Sequence, residues 1–483
     1  MQNDLFKNID ALEAWAIELQ RGLVAIPAIT PTGGGTGELD KAVWLEQELR
    51  QLPFDSIARY DAPHPAAKGG VRPNLVALYK GTEGGRTLWI MSHLDVVPPG
   101  DLSLWKTDPF ALTVEGRTLY GRGVEDNHQG LVASLLAVRA IMESGWRPPF
   151  DLGLLFAADE ETGSEYGAGF LCRQHAHLFG PRDMFIVPDG GLADGSMVEV
   201  AEKSIWWLKI KTQGKQCHAS MPQKGINAFR AASELVVALQ SLYKTFPKKD
   251  PLFDPPMSTF EPTKKENNIP NINTIPAEDV FYLDARVLPC YPLKKVEAEI
   301  QRLAKAIEKK HKVKITFEDV QRGEAAPPTA ADDPLVTELI AAVRDVHKVK
   351  AVPRGIGGGT VAAFFRKLHL PAVVYSKLDE VAHQPNEYCK LDNLLGDAKV
   401  FALTALRLAE RATSAPAPTP RKTARGASHP TKAQGKPHGS RPAKAATKAK
   451  TKPQASSKAK AATKAKSLYR GQKSSQTRAT RRR

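Results

Sequence analysis

Three short apolar runs in the first 200 residues each end in a residue able to hold a metal ion: TLWIMSHLDVV, LGLLFAADEE and MFIVPDGG. Helical patterns such as GLVASLLAVRAIMESG lie between them. Apolar runs of this length alternating with helices call for a sheet covered on both faces, since a strand wet on one side would alternate apolar and polar residues. The expected fold class is α/β with a mainly parallel sheet. In such sheets functional residues gather beyond the carboxyl ends of the strands, where the His, Asp and Glu residues of these runs fall.

Near residue 204 the pattern changes to SIWWLKIKTQG, a helix-like INAFRAASELVVALQSLY, INTIPAEDVFYLDARVLP, a helical KKVEAEIQRLAKAIEKKH and VKITFEDV. Strand, helix, two strands, helix and strand predict an inserted α+β domain. The expected division is a first catalytic part over 1–203, the insert over 204–321, and a return to the first domain over 322–412. From 413 to 483 the chain is a Lys/Ala/Pro-rich tail, too poor in apolar residues to offset the entropy of ordering and expected to be disordered.

That tail carries the charge asymmetry. Of the 68 Lys and Arg residues, 20 lie in 414–483 with no Asp or Glu, which leaves 48 basic against 52 acidic residues elsewhere. The formal net charge of +16 therefore describes the tail and not the body. No apolar run approaches the roughly 20 residues that span a bilayer. The N-terminal stretch has acids where a signal peptide needs basic residues, so a cytoplasmic protein is expected. Cys172, Cys217, Cys290 and Cys389 form no CxxC and indicate neither a zinc knuckle nor a disulfide framework.

Taken singly, the polar residues at the strand ends have ordinary explanations: Asp126 suits a helix cap, Asp189 a turn before glycines, and DEE a solvated loop. Together, His93, Asp126, Glu160, Glu161, Asp189 and His383 supply two imidazoles and several carboxylates to one edge of one sheet, a donor set suited to zinc or a similar divalent metal. Asp95, two residues after His93, is placed to bind the second imidazole nitrogen and fix its tautomer. A two-metal site needs one carboxylate that touches both ions, about 3.5–4 Å apart. It also needs a base that is not a ligand, and Glu160 and Glu161 could divide those two tasks.

The segments SHLDVVPPGDLSLWKTDPF, YGRGVEDNHQG, DEETGS, VPDGG, HASMPQKGINA, NTIPAEDVFYLDAR, GGGT and AHQPNE resemble, in order, the motifs of the metallopeptidase and deacylase family of succinyl-diaminopimelate desuccinylase, acetylornithine deacetylase, aminoacylase and glutamate carboxypeptidase. The resemblance covers the chain to about residue 412. It implies two divalent ions per chain, zinc foremost with cobalt or manganese as alternatives. It implies that His93 and Asp189 hold one ion, Glu161 and His383 the other, and that Asp126 bridges them. Glu160 would then be the general base and Asp95 the residue that orients His93.

In the insert, which the resemblance makes a lid and dimerisation domain, His218 matches a histidine that reaches the neighbouring subunit's active site and stabilises the oxyanion. Asn273 and Arg286 match a substrate-holding pair, and Gly359 with Thr360 a turn that lets backbone approach the substrate. The implied partners are a small N-acyl amino acid or short peptide and a second copy of the chain, with no membrane. Two departures border the pocket: Asn127, His128 and Gln129 precede Gly130 where the family shows Lys-Gly, and Val361 follows GGT where the family shows Asp nearby.

DVVPPGDLSLW is most similar to the desuccinylase, so an N-succinyl or other N-acyl diamino acid is the first substrate expectation, with dipeptidase or carboxypeptidase activity as the alternative. A reading from another class is a polyanion binder on a hydrolase fold, served by non-specific contacts of the tail with nucleic acid. The tail lacks the aromatic residues that base stacking would use.

Overall fold

A computed structural model describes residues 1–414. Its main sheet has eight strands in the spatial order Ser56–Pro63, Val71–Tyr79, Asp151–Ala157, Thr87–His93, Met184–Gly191, Ala372–Ser376, Met197–Glu202 and Val352–Ile356. The central four, from Asp151–Ala157 to Ala372–Ser376, run parallel, so their carboxyl ends share one edge. Val71–Tyr79 and Met197–Glu202 join them antiparallel on either side, with Ser56–Pro63 antiparallel to the former and Val352–Ile356 parallel to the latter.

The apolar runs are continuous because both faces of these strands are covered. Leu88 and Ile90 point into one core with Leu152, Leu154 and Ile186, while Trp89 and Met91 point into the opposite core with Leu155, Phe185 and Val187. That is the two-residue period of a strand buried on both sides. The helix His128–Glu143 is buried on nearly every face, packed between the sheet and the last helix, Leu391–Ser414. Its first turn closes tightly on the strand Met184–Gly191. A Cβ on Gly130 would stand 2.6 Å from the Pro188 carbonyl oxygen, so only glycine lets the Asp126 loop approach Asp189 this closely.

The second sheet is antiparallel, in the order Thr259–Lys265, Glu278–Val287, Ser204–Gln213, Lys314–Gly323. Helices Ala228–Leu239 and Leu293–His311 share its core with Trp206, Leu208 and Ile210. Thr259–Lys265 escapes the sequence pattern: it is an edge strand, interrupted by Pro262 and mostly exposed, so nothing in it alternates. Thr274–Ile275 leaves this sheet to pair with Cys217–His218. A small sheet of Thr113–Glu115, Thr118–Tyr120 and Tyr388–Lys390, also unforeseen, brings residues near 387 against those near 120. Among the described residues no helix is long and apolar enough to cross a membrane. Of the tail expected to be disordered, residues 413–414 end the helix Leu391–Ser414, and the rest, with its polyanion contacts, lies outside the described residues.

Candidate metal centre

The parallel strands aim their carboxyl ends at one place. His93 closes its strand, Glu160 and Glu161 form a turn just beyond Ala157, Asp189 stands near the end of Met184–Gly191, and His383 lies in the loop beyond Ser376. Asp126 enters from the loop before His128–Glu143, where it caps nothing, the N-cap position being Asn127.

Two groups of donors share Asp126. His93, Asp126 and Asp189 form one, and Asp126, Glu161 and His383 the other. His93 Nε2 is 3.0 Å from Asp126 Oδ1 and 3.4 Å from Asp189 Oδ1. His383 Nε2 is 3.1 Å from Asp126 Oδ2 and 3.0 Å from Glu161 Oε2. Each oxygen of Asp126 thus serves a different histidine. The Glu160 side chain makes none of these contacts.

Asp95 differs from the expectation. His93 Nδ1 lies 3.0 Å from the main-chain carbonyl of Asp95 and 3.6 Å from its carboxylate. The carboxylate instead accepts the main-chain N–H groups of Glu160 at 3.0 Å and Glu161 at 3.1 Å. A buried ion network fixes the same turn from behind, with Arg72 donating to Glu38 and, at 3.0 Å, to Asp159, which is held at φ 66°. Asn127 donates to Asp189 at 3.0 Å and to the Pro188 carbonyl at 2.5 Å.

Burial opposes charge throughout the cluster. It pushes Glu160 well above the carboxylate range, with the charge of Asp189 adding to the effect. Burial raises Glu161 and Asp189 too, partly offset by His383 and His93 respectively. On Asp126 the two histidines outweigh burial and hold the carboxyl low. Hydrogen bonds to Asp126 and Glu161 raise His383 to about 10, and Asp189 and Asp126 keep His93 high despite its burial. So many buried acids around two imidazoles call for cations.

The residues fit such ions. Glu161 Oε1 is buried without a hydrogen-bond partner, and both Nε2 atoms face carboxylates. Mixed imidazole and carboxylate donors are those of zinc and its neighbours. A cavity of about 210 Å³ opens beside Asp126 and Asp189, lined also by Gly190, Gly191 and Glu380. A cavity of about 810 Å³ around Ile269 and Ile272 is lined by none of the cluster.

The remaining predicted residues form two separate groups. His218 is exposed, its Nδ1 accepting from Ser220 N at 3.2 Å, and the next residue, Ala219, donates its N–H to the Asn273 carbonyl at 2.8 Å. Arg286 is engaged by both oxygens of Asp284, at 2.7 and 3.1 Å, and donates to the Gly357 carbonyl at 2.9 Å. Thr360 in the same loop donates to Glu202 at 2.9 Å, and Gly359 lies nearby against Ile205. Among the described residues no hydrogen bond or ion pair joins either group to the cluster. The sequence pattern does not single out Glu125, Glu387 or Arg122, although all three stand inside the quoted segments YGRGVEDNHQG and AHQPNE. Of the departing residues, His128 meets the buried Lys41, Nε2 to Nζ at 2.8 Å.

A mainly parallel sheet whose central strands converge on imidazoles and carboxylates is the architecture of a metallohydrolase. The sequence model of peptidase family M20/M25/M40 matches residues 89–407, and the chain belongs to that family. An uncharacterized metallohydrolase of Methanococcus maripaludis is 39% identical over 406 residues, covering 80% of this chain and 97% of the relative. A succinyl-diaminopimelate desuccinylase of Methylocella silvestris is 26% identical over 392 residues, covering 80% and 96%. The solved structure of the dipeptidase Dug1p from Saccharomyces cerevisiae shares the fold, with TM-score 0.63 at 18% identity over 85% of this chain and 99% of that one.

Proposed function

We propose that the chain hydrolyses an amide bond beside a free carboxylate, as an N-acyl-amino-acid deacylase of the succinyl-diaminopimelate desuccinylase type, with two divalent ions, zinc foremost. The observation that carries this reading is Asp126, whose two oxygens face two separate histidine–carboxylate pairs. His93 and Asp189 would hold one ion, and Glu161 and His383 the other. When bound, such ions supply Lewis acidity that polarises the carbonyl and makes water more acidic.

The chain's own residues do the rest. Glu160, outside both donor groups, takes a proton from water as its oxygen attacks the carbonyl carbon. The same proton passes to the nitrogen as the C–N bond breaks, giving a carboxylate and an amine. Asp95 holds the turn that aims Glu160. Arg286 and Asn273 would receive the substrate carboxylate, a task for which a guanidinium's paired N–H groups are suited. Asp284 now occupies that guanidinium and would have to share it. Gly359 and Thr360 would line the approach.

His218 is assigned to the oxyanion of a neighbouring subunit. Its exposure on the insert and its lack of contact with its own cluster support a homodimer formed through 204–321, as do the exposed Phe229, Val237 and Ile272. The basic segment 414–483 is assigned non-specific, salt-dependent contacts with polyanions. Deleting it should abolish retention on DNA and leave small-substrate turnover unchanged.

The test of the main reading is a panel of N-acyl amino acids, N-succinyl diamino acids and dipeptides, assayed with added zinc or cobalt. The reading expects N-acyl substrates with a free carboxylate to be cleaved fastest and their amides or esters to be poor. Faster cleavage of dipeptides would assign the site to a dipeptidase using the same residues.

A further inference from the structure

We propose that Glu125 and Glu387 are reciprocal positioning residues: each belongs to one ligand-bearing loop and holds the main chain of the other. The proposal rests on the two-metal reading of Asp126 and His383. Glu387 lies four residues after His383, and its carboxylate grips the Asp126 loop. Oε1 accepts the N–H groups of Glu125 at 3.0 Å and Asp126 at 3.1 Å, and Oε2 accepts Gly123 N–H at 3.0 Å and Arg122 Nη1 at 2.6 Å. Glu125 precedes Asp126 and reaches the opposite way. Its two oxygens accept the N–H groups of Asp379 at 2.7 Å and Val381 at 2.6 Å, in the loop that leads to His383.

Both side chains are buried, Glu387 fully and Glu125 to 2% exposure. They serve a part of the centre that packing does not hold. His93 ends a central strand at 1% exposure, whereas the His383 side chain is 54% exposed on a loop. That loop keeps three non-glycine residues at positive φ: Glu380 at 60°, His383 at 63° and Asn386 at 61°. Such conformations persist only where surrounding bonds impose them. Burying two carboxylates beside a third, Asp126, is a poor way to gain stability alone, because neutral or apolar residues would fill the space without the desolvation penalty. What carboxylates do here is accept main-chain N–H groups, two on Glu125 and three on Glu387. This fixes the distance between the bridging Asp126 and the less buried histidine to within hydrogen-bond tolerance.

A glutamine at either position offers one acceptor oxygen and turns an NH2 group against a main-chain N–H, so part of each clamp is lost. The experiment titrates cobalt(II) into the metal-free full chain and into Glu125→Gln, Glu387→Gln and the double variant, following visible absorbance, which reports occupancy and ligand geometry. Each single variant should bind the second cobalt about 10- to 100-fold more weakly, the range for residues that support metal ligands. The double variant should lose little more than the weaker single, because one clamp is of no use once the other has released the same pair of loops.

Asp183→Asn is the control, since that buried carboxylate also accepts main-chain N–H groups, from Thr87 and Gly180, but at the far end of the sheet. It should lower the melting temperature without changing cobalt affinity. Unchanged affinity in the folded Gln variants, or additive losses in the double variant, would overturn the proposal. A measurement that needs no variant is amide exchange in the metal-free wild type, where Asp379 and Val381 should exchange slowly. Exchange at the rate of an open loop would overturn the clamp even if two cobalt ions bind. Failure of the wild type to bind two cobalt ions would instead strike the two-metal reading and leave the exchange result to decide the clamp.

Discussion

The carboxylate of Asp95 accepts the main-chain N–H of Glu160 at 3.0 Å, so the residue two places after His93 also sets the turn that carries both glutamates. One side chain thus couples a donor of the first group to the side chain assigned as base. Asp95→Asn offers a single acceptor to two N–H groups and should lower kcat about 10- to 100-fold with little change in KM. Steady-state kinetics on the best substrate of the panel checks this. An unchanged kcat would show that the turn holds itself.

Glu160 and Glu161 are adjacent yet face different work. Glu160→Gln should keep both ions and lose about 10²- to 10⁴-fold in kcat, the usual contribution of a general base. Glu161→Gln should lose one ion, since its Oε2 meets His383. Metal content by mass spectrometry beside kcat separates them, and a reversed pattern would exchange their roles.

Lys41 is buried against His128, and burial lowers its amine to about 7, against the attraction of Asp95, Glu38 and Glu387. In the unfolded chain the amine keeps its ordinary value of 10.5. Between these values the unfolded state binds a proton that the folded state lacks, so this group makes stability rise with pH; below about 7 both states are charged and the burial penalty is complete. Lys41→Met should therefore gain most in melting temperature over the wild type near pH 7, and the gap should narrow toward pH 10. Parallel melting curves across that range would contradict the shift.

If His218 acts across a dimer, mixing inactive His218→Ala chains with inactive Glu160→Ala chains should restore some activity, because one site in each mixed dimer has both residues intact. No recovery after proven subunit exchange would place His218 in its own chain's site or outside catalysis.

The fold class was legible because both-face burial of the central strands leaves continuous apolar runs, and the donors stand at the ends of those runs. Thr259–Lys265 was not legible, since an exposed edge strand with a proline has no period to read. Asp95 was seen through its spacing from His93, but spacing cannot tell a carbonyl contact from a carboxylate contact, and its hold on the Glu160 turn is a long-range fact. Glu125 and Glu387 were invisible as partners for the same reason: 261 positions separate Asp126 N from the Glu387 oxygen it meets.

The central claim is that Asp126 joins two metal sites, and metal content tests it most directly. After reconstitution with zinc and removal of excess, the full-length wild type should retain two divalent ions per chain and lose hydrolysis on chelation, while Asp126→Ala should retain fewer at both sites. One ion or none in the wild type, or two firmly held ions in Asp126→Ala, would contradict the account.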